Sequence, residues 1–188
     1  MSLARRQSMI ENAVHDILVA IGEDPDREGL VATPRRVAKM YLEELAVGNG
    51  CELSEELSTT FNEPHSEMIV VKNIAFYSLC EHHMVPYHGH ASIGYIPQGK
   101  VVGLSKIARL LECASRRLTI QERLTTDVAE AMEQALAPAG VMVVISAEHL
   151  CMSMRGIKKA GAVTTTSAVR GVFQDNPAAR EEFLRLTT

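Results

Sequence analysis

Within Leu79-Cys-Glu-His-His-Met-Val-Pro-Tyr-His-Gly-His90 stand one cysteine and four histidines, from a chain that holds four cysteines and seven histidines in all. Thiolates and imidazoles are ligands of zinc, and imidazole is the side chain that exchanges protons near neutral pH. Cys80 and His83, in C-x-x-H spacing, let one tight loop offer a sulfur and a nitrogen to a single tetrahedral ion. Cys151 is the best candidate for the third ligand, because Glu148-His-Leu-Cys151 follows the apolar stretch Val141-Met-Val-Val-Ile145, at an element end where function concentrates. Three protein ligands leave one position open, the catalytic arrangement. A structural zinc closes with four, and Cys113 or a second histidine would then complete it. Helical period puts Cys113 near a buried face, and Cys51, in a polar stretch, reads as incidental.

His82 and His149 stand beside the proposed ligands at spacings that do not require them to bind metal. They suit either proton transfer or propping the ligands. His88 and His90, flanking Gly89, read as surface or structural. A second cluster, Ser105, Lys106 and Arg109, crowds the first turns of a helix after Gly103, where free N–H groups and the macrodipole favour an anion such as phosphate. Its bland alternative is a solvated basic face. Gly94-Tyr-Ile-Pro-Gln-Gly-Lys100 has the glycine and lysine spacing of a phosphate loop, but Val101 replaces the hydroxyl that would hold magnesium, and no helix follows directly. Glu122 is an ordinary helix-start carboxylate by spacing alone.

The elements that must position these groups alternate in type. Ile10, Ala13, Val14, Ile17, Leu18 and Ile21 recur at helical spacing, and Thr33-Pro34 supplies a cap and a first-turn proline for a second helix reaching to about Gly48. Residues 51–66 are acidic, polar and aperiodic, a connecting loop between an N-terminal helical region, 1–50, and a catalytic part, 67–188. There, strands are expected over 68–78 and from His90 to Tyr95, with the Cys80–His88 segment joining them. A helix capped by Ser105, a second from about Glu122 to Leu136, strands at 141–145 and 164–173, and a short helix after Asn176-Pro177 complete an α+β fold. A four-stranded, mainly antiparallel sheet with open edges invites a homo-oligomer.

Composition narrows the classes. In 188 residues, 46% hydrophobic, there is room for one substantial core. A net charge of -4 gives no field to draw nucleic acid or anionic membrane, aromatics at 4% make no base-stacking platform, and no run approaches a membrane span. No export signal opens the chain, so the expected compartment is the cytoplasm, and cysteines this far apart argue against a disulfide framework.

Cys80-Glu-His-His83, Gly103-Leu-Ser-Lys106, Gln121-Glu-Arg-Leu-Thr125, His149-Leu-Cys151, Met154-Arg-Gly156 and Thr33-Pro-Arg-Arg-Val-Ala-Lys-Met-Tyr41 together resemble the type I GTP cyclohydrolase family, in order and over nearly the whole chain. The resemblance implies the tunnelling fold, with sheets of neighbouring subunits joined into a ring and two pentamers stacked as a decamer. It implies conversion of GTP to 7,8-dihydroneopterin triphosphate with release of formate, the first step toward folate-type pterins, with zinc-activated water attacking C8 of the purine. Zn2+ would be held by Cys80, His83 and Cys151. His82 and His149 would move protons, Ser105 would lie near the ribose among the catalytic groups, and Glu122 would grip the guanine edge. Gln121 joins Arg36, Lys106, Arg109 and Arg155 as substrate-binding, the four cations holding triphosphate. Rival readings are a related tunnelling-fold nitrile reductase, which needs a nicotinamide and a cysteine nucleophile, and a structural zinc module with a closed site.

Overall fold

A computed structural model describes residues 1–188, which divide into two compact units, Met1–Val47 and Gly48–Thr188. In the first, α1 (Leu3–Ala20) packs on α2 (Thr33–Met40), but of the apolar stripe expected on α1 only Leu18 is buried, and Ile17 and Ile21 stay exposed. Ser2 caps α1 by accepting a hydrogen bond from the Arg5 amide at 3.4 Å. Pro34 sits in the first turn of α2 as expected, but Thr33 does not cap it: Ala32 holds that position and offers no side-chain acceptor. The helix does not continue as α to Gly48 either, but widens into a π-helical turn over Tyr41–Leu45.

The second unit opens with the stretch expected to be a loop. It holds instead a short helix, α3 (Leu53–Glu56), and a strand, β1 (Thr60–Asn62). Leu57 is buried to 1% exposure in the main core. Two apolar residues, Leu53 and Leu57, were enough to anchor an otherwise acidic segment. Cys51, read as incidental, is disulfide-bonded to Cys113 of the following helix pair, with Cα atoms 5.9 Å apart. A sequence separation of 62 hid the pairing, because only the folded chain brings them within the reach of a disulfide.

Then follow β2 (Ile69–Cys80), β3 (Pro86–Ile96), β4 (Lys100–Val102), α4 (Leu104–Ser115), β5 (Leu118–Thr119), α5 (Gln121–Leu136), β6 (Gly140–His149), α6 (Leu150–Ser153), β7 (Val163–Gly171), α7 (Val172–Asp175) and α8 (Pro177–Thr187). The class is α+β, as the order of elements led us to expect. β1 and β4 form a separate two-stranded ribbon, and the main sheet runs β5-β2-β3-β6-β7. Four of its strands are antiparallel, and β5 adds a fifth edge of two residues, parallel to β2. A two-residue strand has no period for a sequence to display. β2 and β3 also reach further toward each other than expected, leaving only residues 81–85 as their connection.

Alternation decides which face of the sheet is covered. Ala91, Ile93 and Tyr95 of β3, and Val141, Val143 and Ile145 of β6, are all fully buried beneath α4 and α5. Those helices answer with Ile107, Leu110 and Leu111, and with Leu124, Val128 and Met132, at three- and four-residue spacing that makes one apolar stripe each. α5 ends at Ala137, whose left-handed backbone (φ 44°) and amide bond to the Glu133 carbonyl close the last turn ahead of Pro138. On the opposite face Met142, Phe173, Ala179 and Phe183 form a smaller cluster under α8. Gly94 permits that contact, since a Cβ there would lie 2.7 Å from the Phe183 ring. Asn176 caps α8 by accepting from the amides of Ala178 and Ala179. No helix is long and apolar enough to cross a membrane.

Candidate metal centre and its surroundings

β2 and β3 form a hairpin whose tip is the histidine-rich run. The tip is wound tightly: the Met84 amide donates to the Cys80 carbonyl at 2.8 Å, the Cys80 amide donates to the Val85 carbonyl at 3.0 Å, and Met84 takes a left-handed conformation (φ 55°). This turn brings Cys80 Sγ and His83 Nδ1 to 4.0 Å. Cys151 arrives from the first turn of α6, directly after β6, whose register with β3 sets Tyr87 opposite His149. The ligand atoms of Cys80, His83 and Cys151 lie within 4.8 Å of one another, graded from buried through half-buried Cys151 to exposed His83. Around a tetrahedral zinc such atoms stand roughly 3.5–3.8 Å apart. The donor set therefore fits a divalent ion after a contraction of about 1 Å.

Electrostatics point the same way. Burial pushes the Cys151 thiol up, and the Cys80 sulfur beside it pushes further, while Arg155 pulls down. A half-buried thiol that resists ionising beside a second sulfur is one that a bound cation would stabilise as thiolate. Neither Cys113 nor the adjacent His82 joins them. Cys113 is bonded to Cys51, and the His82 side chain is 67% exposed, its Nε2 4.0 Å from the Glu81 carboxylate.

The turn is bolted to the start of α5. The Glu81 amide donates to the Thr119 carbonyl at 3.2 Å, and Arg123 donates to both carboxylate oxygens of Glu81, which holds that carboxyl below its usual range. On the first turn of α5, Glu122 is exposed. Gln121 beside it is 1% exposed, and its Oε1 lies 2.8 Å from His149 Nε2. The His149 ring stacks on Tyr87 with centroids 4.6 Å apart and planes within 1°. Burial pushes the His149 pKa below its ordinary value, and the charge of Glu122 opposes that shift. Tyr87 itself is fully buried, its hydroxyl has no partner within the chain, and burial first of all pushes its pKa to about 12.

One end of the sheet therefore gathers Cys80, His83, Cys151, His149, Gln121 and Glu122, with Arg155 near enough to act on Cys151. The basic cluster is elsewhere. α4 ends at Ser115, shortly before β5 pairs with Leu79 and Cys80, so its start lies back along the helix by roughly 15 Å. Ser105 and Lys106 occupy that far start, and Arg109 sits about one turn nearer. Ser105 does not cap α4, as Gly103 holds the cap position. Arg36 lies on α2 of the first unit. Tyr87, Arg123 and Thr166 emerge as supports of the site that the sequence reading passed over. Carrying the β3 alternation back past Ala91 and Gly89 would have placed Tyr87 on the buried face, beneath a site residue.

Residues 10–188 match the family model described as GTP cyclohydrolase I. Over 179 residues the chain is 56% identical to GTP cyclohydrolase 1 of Bacillus pumilus (strain SAFR-032), covering 95% of this chain and 94% of that protein. The corresponding protein of Bacillus subtilis (strain 168) is 55% identical over the same span and coverage. That of Mycobacterium tuberculosis (strain ATCC 25618 / H37Rv) is 56% identical over 182 residues, 96% of this chain and 90% of the other. Among solved structures, the archaeosine synthase QueF-Like in its apo form superposes with a TM-score of 0.46 at 20% identity, over 55% of this chain and 93% of that one.

Proposed function

The chain belongs to the GTP cyclohydrolase I family, and from that premise we propose that it converts GTP to 7,8-dihydroneopterin triphosphate and formate, using zinc held by Cys80, His83 and Cys151. The observation that carries this reading is the triangle of two sulfurs and one ring nitrogen, with a half-buried histidine two residues from Cys151 that is not itself one of the three. Zinc at such a site supplies Lewis acidity that activates water at neutral pH.

The remaining steps fall to side chains. His149, held against Tyr87 and Gln121, gives and takes protons at the imidazole ring of the base while two waters hydrolyse first the C8–N9 and then the C8–N7 bond, so that C8 leaves as formate. His82, exposed on the same turn, serves as the second proton carrier. Glu122 accepts the paired N–H donors of guanine, and adenine, which offers a lone pair at the matching ring position, would leave that carboxylate unmatched. Lys106, Arg109, Arg155 and Arg36 neutralise triphosphate, with Ser105 near the ribose.

The distance between the start of α4 and the metal trio supports a pocket assembled from more than one copy, with Ser105 and Lys106 of one subunit completing the site of another. A ring of joined sheets, stacked as a decamer of two pentamers, is the assembly proposed. The test is direct: incubate the purified protein with GTP and zinc, then assay formate and the fluorescent pteridine formed on oxidation. Failure to produce both overturns the reading.

A further inference from the structure

In a histidine that moves protons, it matters which ring nitrogen already holds a hydrogen, and the surroundings of Gln121 decide this for His149. One end of the Gln121 amide lies 3.0 Å from the Ile145 carbonyl oxygen, 3.0 Å from the Thr164 carbonyl oxygen and 3.1 Å from Thr166 Oγ1. Two of those partners are carbonyls, which can only accept. That end must therefore be the NH2, because the reversed amide would set oxygen lone pairs against oxygen lone pairs in a buried place. The other end is then the carbonyl oxygen, also acceptor only, 2.8 Å from His149 Nε2. His149 Nε2 must carry a hydrogen.

The hydroxyls around Gln121 agree with this assignment. Thr125 Oγ1 donates its single hydrogen to the Gln121 main-chain carbonyl at 2.7 Å, so in its 2.7 Å contact with Thr166 Oγ1 it is the acceptor. Thr166 has thereby spent its hydrogen and can only accept from the Gln121 amide. The two hydrogens of the Gln121 amide are shared among three acceptors, and with that assignment no donor meets a donor anywhere in the chain Thr125, Thr166, Gln121, His149.

We propose that Gln121 is a positioning residue, not a substrate contact: anchored by Ile145, Thr164 and Thr166, it locks His149 as the Nε2–H tautomer and leaves Nδ1 as the nitrogen offered to the substrate. Only the last clause rests on the proposed role of His149 in proton transfer. The tautomer itself follows from the donors and acceptors alone.

Two readouts test it on the zinc-loaded full-length protein. Solid-state 15N spectra of histidine-labelled protein, with His149 identified by difference against His149→Ala, should show a protonated Nε2 and a bare Nδ1. Thr166→Val removes one anchor at a half-buried position while keeping the side-chain shape. It should mix the two tautomers and lower kcat by roughly ten- to a hundredfold, with KM for GTP unchanged, and Thr166→Ser should restore both. A His149 protonated at Nδ1 in the unaltered protein overturns the proposal. So does a Thr166→Val protein with unchanged tautomer and kcat, or one in which only KM rises, which would return Gln121 to substrate binding. If the unaltered protein turns over no GTP, the functional reading fails while the 15N spectrum still judges the lock.

Discussion

The second unit holds two cysteine pairs, and it treats them oppositely. Cys51 and Cys113 are bonded to each other, whereas Cys80 and Cys151, brought within 4.8 Å from distant parts of the chain, stay free with His83 beside them. The neighbours differ. Beside Cys51 lies the Glu56 carboxylate, 3.8 Å from the sulfur, and no imidazole joins that group. Beside Cys80 a tight turn delivers a ring nitrogen, a metal-ligating group that the Cys51 cluster lacks. One pair fastens the entry segment to α4, and the other has the makings of a cation site. Cysteine count and spacing do not distinguish them; the third group in each cluster does.

The sharpest way to break this contrast is to remove one sulfur from each pair. Cys151→Ala should abolish stoichiometric zinc and reduce turnover more than a thousandfold, about 4 kcal/mol in transition-state terms. Cys51→Ala should leave both intact. Metal content by mass spectrometry, taken beside formate release, checks the pair of variants, and zinc retained in Cys151→Ala would dissolve the trio. Next in size is the cross-link itself. A bond closing a loop of this length is worth up to about 4 kcal/mol through the unfolded chain. Reductant, or Cys51→Ser with Cys113→Ser, should lower unfolding stability by about 2–4 kcal/mol while zinc stays bound. Denaturation curves with and without reductant measure it, and coincident curves would mean that the pair is not bonded in solution.

The sequence made one of these clusters far more visible than the other. Cys80 and His83 are three residues apart, so their loop announces itself, and Cys151 follows a strand pattern that marks an element end. Cys51 and Cys113 meet only after the 51–66 stretch has folded back, and that stretch looked structureless because its two anchors, Leu53 and Leu57, are diluted among acids. The α+β order of elements was equally readable, being carried by periods of two and of three to four. β5 was not, since two residues have no period. Glu122 was assigned a role by family resemblance alone, and the support of His149 by Gln121 was invisible to any spacing rule, because it depends on which carbonyls of β6 and β7 surround an amide from α5.

A smaller effect separates ligand from neighbour within the metal cluster. His82 adjoins His83, but its side chain is mostly exposed and directed toward Glu81. His82→Ala should keep zinc, change stability by less than about 0.5 kcal/mol, and slow turnover on the order of a hundredfold if it carries a proton. Loss of zinc in this variant would make His82 a ligand and close the coordination sphere.

The smallest expected effect concerns Tyr87, which lies under His149 and meets Phe76 edge-on at 5.9 Å. Its ring does the packing. Its hydroxyl makes no hydrogen bond of normal geometry, burial pushes its pKa to about 12 with Ser78 only partly offsetting this, and it stays neutral across any working pH. Tyr87→Phe preserves the stack and removes a desolvated polar atom, so stability should hold or rise by up to about 1 kcal/mol, and turnover should stay within a few-fold. Thermal melts and steady-state kinetics on the same preparation decide it. A collapse of kcat with the fold intact would mean that this hydroxyl meets the substrate, and would move Tyr87 from the scaffold of the site into its chemistry.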